Sequence, residues 1–270
     1  MQLDDKEKQA SLDVAEDSRQ TDWQAPSFVA ELFQGNFNWD HIHPFPLQSE
    51  EDKKIGDEYI EVLRGVLEEH IDPSDVDRTG NIPQEALDAL AEVGAFGMKI
   101  PKEYGGLGLS QTNYSRACAF MSSYCASTAA GITAHQSIGV PQPLKLFGTK
   151  EQKEKFLPRI AKGAVTAVAL TEPGVGSDPA KMVTTATPSE DGSHYIINGQ
   201  KLWITNGTRC ELMVVMARTP SITVNGKEKK QISAFVVETS TPGFDVVHRC
   251  DFMGIRGIQN GLLNFDNVKV

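Results

Sequence analysis

The sequence predicts an α+β protein: an N-terminal α-helical domain followed by an antiparallel β-barrel or sandwich domain. Three observations carry that prediction. Apolar residues recur at helical spacing from Ser49 to Gly163, the period falls to two after Gly163, and the two patterns do not interleave. Runs of helix followed by runs of strand imply segregated layers and not a β-α-β sheet.

Residues 1–26 are polar and acidic and read as a weakly ordered leader. They lack the basic, then apolar start of a secretory signal and the Arg-rich, acid-poor character of a mitochondrial presequence, so a cytoplasmic location is expected. Residues 27–48 change character, with Phe28, Phe33, Phe37, Trp39 and Phe45 interleaved with Pro44 and Pro46. That stretch is too aromatic for a linker, and residues 1–48 are taken together as an N-terminal extension.

The helical domain is expected over residues 49–163. Ser49 and Asp52 form a loose capping box, followed by the stripe Ile55, Tyr59, Val62, Leu63, Val66 and Leu67. Pro83 is placed to open a second helix with Leu87, Leu90 and Val93 on one face and Gly94 as its stop. Ser110 opens a third segment rich in Ala, Ser and Cys, whose small side chains suit close helix approach. Thr149 and Gln152 form a capping box for a short helix carrying Phe156, Leu157 and Ile160.

The β domain is expected over residues 164–270. Strands are read at Val165–Leu170, Thr184–Thr187, His194–Ile197, Lys201–Thr205, Leu212–Ala217, Ile232–Val237, Phe244–Val247 and Leu262–Phe265. The turn signals between them are Asp191-Gly192, Asn198-Gly199, Asn206-Gly207, Asn225-Gly226 and Pro242-Gly243.

Composition removes several functions. A net charge of −10 with no basic run argues against nucleic acid as a partner. No apolar run approaches the roughly 20 residues a membrane span requires. Cys118, Cys125, Cys210 and Cys250 form no C-x-x-C pair; Cys118 and Cys125 read as one face of a helix, and all four as buried thiols in a reducing compartment. His41 and His43 form an H-x-H pair without further ligands at metal spacing, so packing is the better reading and no metal site is expected. Gly105-Gly106-Leu107-Gly108 and Gly174-Val175-Gly176 fall short of G-x-G-x-x-G and do not stand between a strand and a helix, which excludes a Rossmann site.

Two segments carry chemistry. Thr171–Asp178 reads TEPGVGSD directly after an apolar strand; its Pro and Gly residues force a tight turn whose N–H groups, with the Thr171 and Ser177 hydroxyls, can donate to phosphate, carbonyl or ring acceptors. Glu172 in that turn is better placed to satisfy backbone donors than to act as a base. Lys201–Gly207 reads KLWITNG; in a regular strand Trp203 and Thr205 share a face, setting an indole plane beside a hydroxyl.

These segments, ALTEPGVGSD at 169–178 and NGQKLWITNG at 198–207, together with MGIRG at 253–257, resemble the signatures of the acyl-CoA dehydrogenase family. PKEYGGLGLS at 101–110, AHQSIG at 134–139 and FGTKEQKEKFLPRIAKG at 147–163 are similar to that family's first domain. SFVAELFQGNF at 27–37 and HPFP at 43–46 resemble its very-long-chain branch. The resemblance implies an FAD-dependent α,β-dehydrogenation of fatty acyl-CoA to trans-2-enoyl-CoA in fatty acid β-oxidation. It implies FAD contacts at Val168, Leu170, Thr171, Gly176, Ser177, Trp203, Ile204 and Thr205, with Ser177 also touching the acyl-CoA. Electron-transfer flavoprotein as acceptor and a homodimer or homotetramer are implied in the same way. The family's catalytic base belongs to a third, helical domain expected beyond Val270, so no catalytic residue is assigned and the chain reads as a fragment. An acyl-CoA oxidase-like relative and a non-catalytic flavin- or acyl-CoA-binding module are the alternatives; peroxide formation and a genuine stop codon after Val270 would mark them.

Overall fold

A computed structural model describes residues 27–45, 47–224 and 227–270. The expected leader over residues 1–26, Pro46 and the Asn225-Gly226 turn lie outside the described residues. The chain divides into two units, residues 1–53 and 54–270.

In the first unit, helix α1 (Phe28–Phe33) starts where the Ser27 hydroxyl accepts from the Ala30 N–H. The aromatic residues pack on one another: Phe28 against Phe37 edge-on, Phe37 on Trp39, and Trp39 on His43 at 5.2 Å between ring centroids. His43 is thus part of a ring stack, and His41 meets the Asn38 carboxamide and the Glu31 carboxylate.

Helix α2 (Glu50–His70) opens near the Ser49 cap. Only part of its predicted stripe is buried: Leu63 and Leu67 are in the core, whereas Ile55 and Val62, seven residues apart on one face, are exposed. In the second unit follow α3 (Pro73–Thr79), capped by Asp72 and closed by a left-handed Gly80, and α4 (Gln84–Glu92), with Pro83 at its N-cap. The third helical segment is two helices. Helix α5 (Gln111–Tyr124) is capped by Ser110, and Cys125 takes an extended conformation that ends it and begins α6 (Ala126–Ser137). Cys118 and Cys125 therefore do not share a helix. Cys118 is also only half-buried, unlike the other three thiols. Helices α7 (Pro141–Phe147) and α8 (Lys150–Ala161) complete this half, the latter with the full Thr149/Gln152 capping box, a feature worth about 1 kcal/mol.

The strands are β1 (Thr166–Ala169), β2 (Thr185–Pro188), β3 (Tyr195–Ile204), β4 (Leu212–Val224), β5 (Lys227–Glu238), β6 (Phe244–Arg249) and β7 (Gly261–Lys269). They form one curled sheet in the order β1-β4-β2-β3-β7-β6, with β5 on the other edge of β4. Most pairings are antiparallel as predicted. Two are parallel: β1 runs beside Leu212–Val215 of β4, and β2 meets β4 at Arg218 further along the same edge. The loop between β1 and β2 returns the chain to that edge in the same direction, which the period-two pattern cannot show.

Asn198-Gly199 is not a turn. It lies inside β3, joining two predicted strands, opposite an irregularity in the β3–β7 register. Gly199 has φ 146°, and a Cβ there would lie 2.8 Å from the Thr184 Cα, so only glycine fits.

Helices and sheet share apolar contacts. Ile100, Val140, Leu144, Leu157 and Ile160 pack with Leu212 and Val214 of β4 in one buried cluster. His135 of α6 joins the halves by polar contacts: its Nε2–H donates to the Phe96 carbonyl at 2.9 Å, and Nδ1 accepts from the Thr166 N–H at 2.9 Å. The ring is buried, and burial pushes its pKa down to about 4, so it is a neutral connector. The Asn206 carboxamide makes a parallel link, donating to the carbonyls of Gly131 and Thr166.

Candidate functional site

Beyond β1 the chain turns sharply at Pro173-Gly174. Glu172 and Val175 exchange backbone hydrogen bonds of 2.9 and 3.0 Å across that turn. The Glu172 side chain points inward: Oε2 accepts from the Val183 N–H at 2.7 Å, and Oε1 from the Thr184 N–H at 3.0 Å and Lys201 Nζ at 2.9 Å. Burial pushes the carboxyl up, but donation from Thr184, Val183 and Lys201 outweighs it and holds the group below the ordinary carboxylate value. Glu172 is a satisfied structural carboxylate, as the sequence suggested.

Lys201 also donates to the Leu170 carbonyl at 3.1 Å, and the Leu202 N–H donates to the Thr171 carbonyl at 2.9 Å. The two motifs singled out in the sequence are therefore bonded together, side chain and backbone. The lysine is invisible to pattern reading, because Lys at a strand start ordinarily faces water. Its signal would have been a glutamate in the facing turn.

Trp203 and Thr205 are not brought to one face by strand alternation. Between Lys201 and Ile204 the β3–β7 register slips by one residue, and Trp203 takes φ 62°, a β-bulge with a left-handed residue. The bulge lets Lys201 and Ile204 both turn into the core while the Trp203 indole stands out, 53% exposed. Ile204 contributes packing within the sheet core and offers only its backbone to a ligand. Thr205 lies just past the strand, half-buried, its hydroxyl accepting from Asn260 Nδ2 at 3.3 Å.

Around this bulge lie exposed apolar groups with unused donors. Leu170 is exposed, the Trp203 ring meets Phe252 at 5.8 Å, and Met253 of the MGIRG loop is fully exposed. Val168 is half-buried on β1, packed against the helix–sheet cluster. In the turn, Gly176 and Ser177 are exposed, and space is open around Gly174 and Gly176. Among the described residues, the N–H groups of Gly176 and Ser177 and the hydroxyls of Thr171 and Ser177 meet no protein acceptor. Unused donors in a turn that is bonded to the strand carrying an exposed indole are groups that a flat heteroaromatic ring joined to phosphates could use.

The MGIRG loop is anchored from behind. The Gly257 N–H donates to the Ser127 hydroxyl at 3.0 Å, and Arg256 donates to the Asp77 carbonyl at 3.0 Å at the end of α3. Arg249 and Arg209 reach the Gly80 and Ile82 carbonyls beside it, cations set at a helix C-terminus. Burial pushes the Cys210 thiol up to about 12, so it is inert at neutral pH. Among the described residues no group of His, Cys, Asp and Glu is arranged to hold a metal ion, and no helix is long and apolar enough to cross a membrane.

Residues 49–164 match the family model for the acyl-CoA dehydrogenase N-terminal domain, and residues 167–268 match the model for its middle domain. The chain is 49% identical over 257 residues to a probable acyl-CoA dehydrogenase, FadE10, of Mycobacterium tuberculosis, covering 95% of this chain and 39% of that protein. It is 38% identical to the mouse mitochondrial very long-chain specific acyl-CoA dehydrogenase, covering 98% of this chain and 41% of that protein. The crystal structure of an acyl-CoA dehydrogenase complexed with FAD from Bacillus anthracis superposes with a TM-score of 0.68 at 33% identity, covering 83% of this chain and 36% of that one. The chain thus spans about two-fifths of the curated relatives it matches.

Proposed function

The chain belongs to the acyl-CoA dehydrogenase family, and we propose that it forms the flavin-facing part of an enzyme that converts fatty acyl-CoA to trans-2-enoyl-CoA in fatty acid β-oxidation. The observation that carries this reading is the pairing of unused donors at Thr171, Gly176 and Ser177 with the outward indole of Trp203, in segments bonded to each other. FAD, when bound, supplies the acceptor for the substrate's β-hydride.

The roles given to the chain's own groups are those the family resemblance implies, and the exposed turn and bulge support them. Thr171 would hydrogen-bond the pyrimidine edge of the flavin, and the Gly176 and Ser177 N–H groups its phosphates. The Ser177 hydroxyl, exposed at the same turn, is also assigned to the acyl-CoA. Trp203, exposed on the bulge, would give the flavin a flat apolar wall. Val168, Leu170 and the Ile204 backbone would add the contacts the resemblance implies, and the Thr205 hydroxyl would donate toward the hydride-accepting nitrogen. Residues 49–163 and 164–270 act as the helical and flavin-binding domains of this arrangement. Electron-transfer flavoprotein as acceptor, a homo-oligomeric enzyme and a reducing, cytoplasmic compartment complete the proposal.

The test compares Trp203→Ala and Thr205→Val with Cys118→Ala and His43→Ala in the full natural chain. The first pair should weaken FAD binding and shift the visible flavin spectrum; the second pair, a half-buried thiol and an imidazole held in an aromatic stack, should do neither. Equal spectra and affinities across all four variants would refute the site.

A further inference from the structure

Asn260 stands at the start of β7, fixed by the Cys250 N–H, which donates to its carbonyl at 2.9 Å. The next residue, Gly261, pairs with Ile204, which sets the Asn260 side chain beside Thr205. Asn260 is 4% exposed; its Nδ2 donates to Thr205 Oγ1 at 3.3 Å, and its buried Oδ1 has no partner.

We propose that Asn260 is a positioning residue that aims the Thr205 proton outward. A hydroxyl carries one proton and two lone pairs. With Asn260 donating into one lone pair, the Thr205 proton cannot also point at that nitrogen. Among the described residues no other protein group accepts it. It is held ready for an acceptor on the exposed side of the bulge, and donation from Asn260 polarises the O–H bond. The opposite amide orientation has the reverse consequence: Oδ1 would take the Thr205 proton, and Thr205 could only accept. A buried carboxamide with one atom orphaned is a poor choice for packing alone, since an apolar side chain of that size leaves nothing unpaired. A carboxamide at this position makes sense as a device for the hydroxyl.

This inference rests on the reading that Thr205 faces the flavin, and the experiment separates the two. FAD affinity, the visible flavin spectrum and single-turnover flavin reduction by an acyl-CoA are measured in the full natural chain for Asn260→Asp, Asn260→Leu and Thr205→Val. Thermal melting of the FAD-free protein is followed alongside. Asn260→Asp places an acceptor against the hydroxyl, turns its proton inward and should weaken FAD binding about threefold to tenfold, the worth of one net hydrogen bond, matching Thr205→Val. Asn260→Leu frees the hydroxyl to rotate and should show a smaller loss, which disappears in the Thr205→Val background. Should Asn260→Asp fail to fold, that abolished loss in the Leu series decides the matter. If Asn260→Asp keeps native affinity, spectrum and reduction rate while Thr205→Val is impaired, the orientation is reversed and the proposal is wrong. If Thr205→Val alone changes none of the three flavin measurements, the reading of Thr205 fails and this proposal falls with it.

Discussion

Lys201 Nζ lies 2.9 Å from Glu172 Oε1, and neither side chain exposes more than 1% of its surface. Removing two charges from water is costly, and the pair holds only because the remaining carboxylate lone pairs take the Val183 and Thr184 N–H groups while the ammonium also reaches the Leu170 carbonyl. The pair joins the turn of residues 171–178 to the bulge that displays Trp203.

Lys201→Met should therefore destabilise by about 3–5 kcal/mol, because it leaves a buried carboxylate unpaired. Glu172→Gln, which still accepts one backbone bond, should cost less. Denaturant midpoints measure both. Loss of only a few tenths of a kcal/mol in Lys201→Met would show that the pair is solvated in solution. The pH dependence has a definite sign: the folded Glu172 carboxyl is held below its ordinary value, so its contribution is complete above that value and declines as pH falls through the folded one.

His135 should make the protein acid-sensitive in a specific window. Its folded pKa is about 4 against an ordinary 6.5, so between these values the unfolded chain binds a proton that the folded one refuses. Stability should fall as pH drops from 6.5 toward 4, by about 3 kcal/mol in all, and then level off for this group. A His135→Asn variant should be less stable at neutral pH but show a flatter profile across that window. An unchanged profile would mean that another group drives the acid response.

Gly257→Ala should destabilise by about 1–3 kcal/mol, since a Cβ there would sit 2.6 Å from Val76 Cγ1 and 2.8 Å from Ser127 Cβ. Gly254→Ala, three residues earlier in the same loop, has open space and should be close to neutral. Equal melting temperatures for the two variants would contradict the docking of this loop against α3 and α6.

Residues 1–270 on their own are expected not to dehydrogenate an acyl-CoA. Glu172 is enclosed by donors, Asp178 is paired with Lys181 at 3.8 Å, and Asp251 is exposed to water. None is an unpaired, water-shielded base, and general-base assistance is worth about 10²–10⁴-fold. Flavin bleaching on mixing the chain with FAD and a panel of acyl-CoAs measures this; bleaching at an ordinary enzymatic rate would locate a base within these residues.

Local signals determined much of this protein. The period change near Gly163, the Thr149/Gln152 box and the Ser110 cap were legible because helix starts and strand alternation depend on residues a few positions apart. The turn of TEPGVGSD was legible for the same reason, as was the inward role of Glu172. What the sequence left open depended on partners far along the chain. The break at Cys125, the parallel pairing of β1 and β2 with β4, and the continuity of β3 through Asn198-Gly199 are set by which segments lie alongside. The indole of Trp203 does face outward, but through a left-handed bulge and not through alternation. One extra residue in β3 reverses the faces beyond it, so Lys201 and Ile204 both turn inward. Only the register against β7, a strand about sixty residues away, decides that.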